Sequence, residues 1–143
     1  MCIRDSLKPD NEARIIWADS LKKTPYSLVY LHGFSASQFE GDPIHKDFAK
    51  RYGCNLYLSR LAGHGVANKE NFLDLTPKAM IESAKHAIQV GQLLGEKVIV
   101  MSCSTGGTLS AYLAAHNPDL IDCLLYTSPS PRDATLSRMP SSA

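Results

Sequence analysis

The sequence predicts an α/β fold, three layers deep (α/β/α), with a mostly parallel sheet at the centre. Three observations carry this. Four short apolar runs read as strands. The last three are nearly continuous apolar stretches, as expected of strands covered on both faces. Helical segments with legible starts and stops separate the runs, and strands alternating with helices lie parallel through right-handed crossovers.

In chain order, the first strand is "ARIIWA" (Ala13–Ala18) and the second is "SLVYLH" (Ser27–His32). Asp42 stands where it can cap a helix with Pro43 at its first position; that helix runs to Tyr52 and stops at Gly53. "NLYLS" (Asn55–Ser59) is the third strand, with Cys54 filling a core position before it. Thr76 and Pro77 open a second helix that Gly95 ends. Its inward stripe is Met80, Ala84, Ala87, Gly91 and Leu94, spaced four, three, four, three. "KVIVMS" (Lys97–Ser102) is the fourth strand, and a third helix runs from about Thr105 to His116, where Asn117-Pro118 stops it. His45 and His86 fall on helices and are expected to face solvent. No internal repeat is visible.

A chain of 143 residues is long enough for one domain with a sizeable core. With 44% hydrophobic residues, 20% charged residues and a net charge of +1, it has no basic excess to suggest nucleic acid. No apolar run approaches the roughly 20 residues of a membrane span, and "MCIRDSLKPD" lacks the apolar core of a signal peptide. The four cysteines (Cys2, Cys54, Cys103, Cys123) have no metal-ligand spacing, which argues against a zinc or disulfide framework. No metal or cofactor is implied.

The two ends do not match the middle. "YTSPSPRDATLSRMPSSA" sets Pro129, Pro131 and Pro140 among serines without periodicity. "MCIRDS" back-translates to ATGTGTATAAGAGACAG plus one base. The reverse complement, read with its first base closing the Asp122 codon, encodes Cys-Leu-Leu-Tyr-Thr, which is Cys123–Thr127. Both ends resemble translation of a transposase mosaic-end adapter used in short-read library preparation. Residues 1–6 and 122–143 are therefore expected to be adapter artefact, with nothing packed from Ser128 onward. Natural sequence is expected over residues 7–121, from a protein that extends past both ends. Setting the ends aside removes three basic residues (Arg4, Arg132, Arg138) and three acidic ones (Asp5, Asp122, Asp133), so the charge balance survives. A signal peptide or anchor would lie in the missing amino-terminal part, so compartment and membrane association are left open.

Chemistry concentrates in "KVIVMSCSTGGTLSAYLAAHNP" (Lys97–Pro118). A strand that runs into a helix through a small-x-nucleophile-x-small turn is a nucleophile elbow, so tight that the residues two away on either side must be tiny. Centred on Ser104 those flanks are Ser102 and Gly106, both small. Centred on Cys103 they are Met101 and Thr105, and centred on Ser102 they are Val100 and Ser104; Met and Val do not fit. Ser104 is the candidate nucleophile, at the amino end of a helix whose N–H groups and dipole favour a developing oxyanion. A second segment, "LVYLHGFSAS", ends a strand in His32-Gly33, where the Phe34 N–H can be one oxyanion donor and the Thr105 N–H the other. A third, "LSRLAGHGVA", carries Gly63-His64-Gly65 after the next strand.

These segments, in this order, resemble the α/β-hydrolase fold, and within it the carboxylesterase, monoacylglycerol-lipase and serine-aminopeptidase-like branch, where HGF, GHG and GxSxGG recur. The resemblance covers nearly all of Ala13–Ile121. It implies a truncated α/β-hydrolase domain in which Ala13–Ala18 is an antiparallel strand. It implies structural, loop-holding roles for His32 and His64, and activity on a small acyl ester. Cys103 is expected to pack behind the elbow. The sequence departs from the pattern in one place, since Ser102 replaces the first Gly of GxSxG.

A serine hydroxyl needs a histidine to take its proton and a carboxylate to orient that histidine. In this fold both follow the serine in the chain. Downstream of Ser104, His116 and Asp119 sit at the end of the same helix, and twelve helical residues separate His116 from Ser104 by about 18 Å. Asp133 lies in the adapter reading. The chain is therefore expected to carry a nucleophile and oxyanion donors without base or orienter, and to be inactive alone. Peptidase, thioesterase and acyltransferase chemistry stay open within the class, and a non-catalytic binding protein of the same fold is the alternative outside it. A haloalkane-dehalogenase-like reaction is disfavoured, since it calls for Asp at position 104.

Overall fold

A computed structural model describes residues 7–68 and 70–127. The adapter reading of residues 1–6 and the unpacked tail expected from Ser128 lie outside the described residues. Five strands, β1 (Arg14–Ile16), β2 (Thr24–Leu31), β3 (Asn55–Leu58), β4 (Gly95–Cys103) and β5 (Cys123–Thr127), form one sheet in the order β1-β3-β2-β4-β5. β1 runs antiparallel to β3, and the other pairs are parallel. The helices are α1 (Ile44–Tyr52), α2 (Pro77–Leu94) and α3 (Thr105–His116).

Period-two alternation along the strands builds two cores. Leu28 and Tyr30 of β2, with Leu56 and Leu58 of β3, point to the α1 side and pack with Ala49 and Cys54. Val29, Leu31, Val98 and Val100 point to the other side. There they meet Met80, Ala84, Ala87 and Ile88 of α2 and Leu109 and Leu113 of α3. Fully burying one Leu or Ile in such a layer stabilises by roughly 1.5–3 kcal/mol. All five residues of the stripe read from the α2 sequence are buried. Thr76 caps α2 as expected, its Oγ1 accepting the Ala79 N–H at 3.1 Å.

The structure corrects four details. β1 is shorter than Ala13–Ala18, because the chain leaves the ladder after Ile16 and the Ala18 N–H donates to the buried Asn55 side chain at 3.0 Å. β2 and β4 begin earlier than the apolar runs suggest, at Thr24 and Gly95, which are paired with each other. Asp42 does not cap α1. Pro43 holds the cap position, its carbonyl accepting the Asp47 N–H at 2.9 Å, and Asp42 pairs with Lys46 Nζ at 3.0 Å. His45 does not face solvent. It lies one helical turn from Ala49 on the inner face of α1, fully buried, edge-on to the Tyr30 ring at 4.8 Å between centroids. Its Nε2–H donates to Gln38 O at 2.8 Å, so the ring ties α1 to the turn Gln38–Gly41. His86 is exposed, as read.

Candidate active site

β4 passes into α3 through a single residue, Ser104, at φ 49° and ψ −115°. A side chain there is strained, and non-glycine residues held in such conformations cluster at functional sites. Three contacts fix the turn. The Ser104 N–H donates to Thr127 O on β5 at 2.8 Å. Gly106 sits against the end of β2, where an added Cβ would lie 2.2 Å from Leu31 O and 2.7 Å from His32 O. Ser102 points toward α3 and its hydroxyl lies 2.8 Å from that of Ser110. Ser110 already donates to Gly107 O at 2.9 Å, so Ser102 is the donor to Ser110. The replacement of a glycine by Ser102 is thus accommodated by a buried hydroxyl chain into the helix.

Beyond β2, the loop Gly33–Ala36 comes up beside the serine. A Cβ at Gly33 would lie 3.4 Å from Ser104 Cβ, so loop and Ser104 are in near contact. Three of the loop's four N–H groups are engaged: Gly33 donates to Glu40 Oε2 at 2.7 Å, Ser35 to His64 Nε2 at 3.0 Å, and Ala36 to Gly33 O at 3.3 Å. Among the described residues, the Phe34 and Thr105 N–H groups have no protein acceptor. Ser35, like Ser104, sits at positive φ (58°). Phe34 and Thr105 line one apolar groove of about 390 Å³ together with Leu75, Met80, Leu109 and Tyr112.

Both loop histidines are buried and spent on the backbone. His32 Nε2 accepts the Leu61 N–H at 3.1 Å and its Nδ1–H donates to Gly33 O at 2.8 Å. His64 Nε2 accepts the Ser35 N–H, and its Nδ1–H donates to Ala62 O at 2.8 Å. Burial pushes both below the usual histidine range, because an imidazolium there would lose solvent and repel Arg60. The rings form an aromatic column, His32 on His64 at 4.9 Å, with Phe34 and Phe72 on His64 at 5.5 and 5.0 Å. Neither has a ring nitrogen free to serve as a base. His116 is exposed at the far end of α3, stacked on Tyr112 at 4.0 Å.

Cys103 does not pack behind the elbow. Alternation along β4 turns it to the Met101 side, where it is half-buried and lines a cavity of about 420 Å³ with Tyr30 and Glu40. Cys54 is buried in the core, as read. Sequence reasoning missed Glu40, which accepts the Gly33 N–H and the Tyr30 hydroxyl (3.2 Å). Glu40 in "SQFEGDP" gives no signal until the turn that carries it is seen. Among the described residues, no group of three or more His, Cys, Asp or Glu converges as a metal site would require.

A strand order of β1-β3-β2-β4-β5 with an antiparallel first strand, and a strained serine between β4 and α3, define the class: this is an α/β-hydrolase fold. Comparisons with known proteins agree. The chain is similar to a thermostable monoacylglycerol lipase from Bacillus sp. (strain H-257), 30% identical over 96 residues, which are 67% of this chain and 38% of that enzyme. Its structure is similar to that reported for LipS and LipT, two metagenome-derived lipolytic enzymes, with a TM-score of 0.72 and 20% identity over 96% of this chain and 55% of that one. Est1E from Butyrivibrio proteoclasticus, solved with ferulic acid, gives 0.61 and 18% identity over 83% of this chain and 50% of that one. MenH from S. aureus gives 0.59 and 17% over 89% and 47%. No family model matches. The chain spans about half the length of these solved structures, and less of the lipase.

Proposed function

We propose that this chain is the nucleophile-bearing part of a serine hydrolase acting on carboxylic esters, of carboxylesterase or lipase type. The observation that carries the reading is the strained Ser104 with two N–H groups, of Phe34 and Thr105, unengaged among the described residues, at the mouth of an apolar groove. Ser104 Oγ attacks the acyl carbonyl, and the carbonyl oxygen takes the electron pair as an oxyanion held by those two N–H groups. Collapse expels the alcohol, which takes up the proton that Ser104 gave up to the base, and leaves an acyl-serine. Water then attacks the acyl-serine, releasing the acid and restoring the Ser104 proton. The groove, with Leu75, Met80, Leu109 and Tyr112, suits an apolar acyl chain. The relatives' activities, lipase and esterase, fit this substrate class.

The base and its orienting carboxylate belong, on this reading, to natural sequence beyond Ile121, and residues 122–143 are adapter translation. The untrimmed gene sequence tests that directly. The reaction is tested with a fluorophosphonate probe on the protein encoded by that gene: labelling abolished by Ser104→Ala is expected. No labelling would favour a non-catalytic binding protein, and labelling indifferent to Ser104→Ala would overturn the choice of nucleophile.

A further inference from the structure

We infer that Glu40 is a positioning residue of the oxyanion loop, fixing the peptide that presents the Phe34 N–H toward Ser104. This rests on the reading of Phe34 as an oxyanion donor. Glu40 Oε2 receives two donors, Gly33 N–H at 2.7 Å and the Tyr30 hydroxyl at 3.2 Å. Tyr30 is buried in β2, and burial together with the neighbouring carboxylate pushes its hydroxyl above the usual range, so it stays a donor. The carboxylate therefore spans from the rigid strand to the first peptide of the loop. The next peptide, Gly33–Phe34, has its carbonyl held by the His32 Nδ1–H at 2.8 Å. With the Ser35 N–H on His64, each peptide flanking the Phe34 N–H is pinned. Those bonds hold the peptide that carries the Phe34 N–H.

The position of Glu40 is itself well determined. It sits in the short turn Gln38–Gly41, capped by Ser37. His45 holds Gln38 O, and the Gln38 side chain donates to Asp10 O at 2.9 Å and Glu12 O at 3.2 Å. Gly41 lets the turn close onto Tyr30, since a Cβ there would meet the Tyr30 ring at 2.6 Å. A Cβ at Gly33 would collide with Glu40 Oε1 at 2.8 Å and touch Ser104 Cβ at 3.4 Å, so carboxylate and nucleophile flank one glycine. Fixed donors aimed where charge develops are what an oxyanion site requires, and a loose loop would forfeit that.

The test is amide exchange resolved to single residues on this chain, in wild type, Glu40→Ala, Glu40→Asp, Glu40→Gln and Tyr30→Phe. Loss of the acceptor should speed Gly33 exchange roughly tenfold or more in Glu40→Ala, and likewise in Glu40→Asp, whose carboxylate is one methylene too short. Glu40→Asp keeps the charge and covers the case in which the alanine variant does not fold. Glu40→Gln keeps an acceptor oxygen and should restore protection, and Tyr30→Phe should leave Gly33 protected. Unchanged Gly33 exchange in Glu40→Ala and Glu40→Asp overturns the inference, as does Glu40→Gln exchanging like Glu40→Ala. In the protein encoded by the untrimmed gene, Glu40→Ala should lower kcat roughly tenfold at unchanged KM, with Glu40→Gln recovering it. An unchanged kcat there overturns the positioning role even with Ser104 established as nucleophile. Exchange does not depend on Ser104 reactivity, so failure of the hydrolase reading leaves a separate signature, an unlabelled wild type.

Discussion

The Ser35 N–H donates to His64 Nε2 at 3.0 Å, tying the loop after β2 to the loop after β3. The bond exists only while the imidazole is neutral, and the same holds for the Leu61 N–H on His32. His32, His45 and His64 are all buried and all held below the usual range by loss of solvent. The folded state then binds fewer protons than the unfolded chain, so stability rises with pH across the window between the folded and unfolded values. It is fully present above about pH 6.5 and is lost as pH falls through the lowered folded pKa values. A thermal melt should show the midpoint falling between pH 7.5 and pH 5, less steeply in His64→Gln. A flat midpoint over that range would refute the neutral-acceptor assignment.

Ser104→Gly should stabilise the chain by a few tenths to about 1 kcal/mol, because glycine removes the side-chain strain at φ 49° but adds chain entropy to the unfolded state. Ser104→Ala keeps the strain and should show no such gain. Urea unfolding of the three proteins decides it, and equal stability of the glycine and alanine variants would mean that the turn is not strained.

The parts of the site legible in the sequence were those where geometry forbids most residue types. Gly106 and Ser102 had to be small, and that steric rule alone selected Ser104 over Cys103. Helix limits were readable where a cap is chemical, as at Thr76, and misread at Asp42, where the proline that follows takes the cap position. Roles that depend on partners distant in the chain were not readable. The burial of His45 follows from Gln38 O and the Tyr30 ring, and the reach of Glu40 from a turn whose fixing residues run from Asp10 to His45. Start and stop signals placed His45 on a helix without saying which face the sheet would cover.

Ser110→Ala should cost about 1–3 kcal/mol, because the buried Ser102 hydroxyl loses its acceptor. Adding Ser102→Ala should recover part of that loss, since the orphaned donor is gone. A double-mutant cycle by chemical unfolding measures the coupling, and additive losses would show that the hydroxyl chain is not what accommodates Ser102.

Gly106→Ala should be among the most damaging single-methyl changes in the chain. The new Cβ would meet Leu31 O at 2.2 Å, and backbone at the end of β2 has no rotamer to yield. A loss of about 3 kcal/mol or more is expected. Gly53→Ala is the comparison, since no atom lies within 4 Å of its added Cβ and only its φ of 65° opposes it. If the two variants unfold at the same urea concentration, close packing of α3 on β2 does not constrain the turn at Ser104.

The chain should self-associate through β5. This strand pairs with β4 on one side, and among the described residues nothing pairs with its other side. An unpaired parallel edge offers N–H and C=O groups to a second chain. Here the edge is also apolar, with Leu125 39% and Tyr126 53% exposed. Under the adapter reading these residues are strand-forming by accident of reading frame, so no selection has placed a charge or proline there to blunt the edge. Concentration-dependent association is expected in sedimentation velocity up to roughly 100 μM, where exposed edges aggregate. Leu125→Lys should suppress it, because a charge on the edge makes stacking a second strand costly. The substitution leaves the buried Val98 and Val100 of β4 untouched, so the fold should survive it. A wild-type chain that stays monodisperse over the same range, with Leu125→Lys no different, would show that the β5 edge is covered.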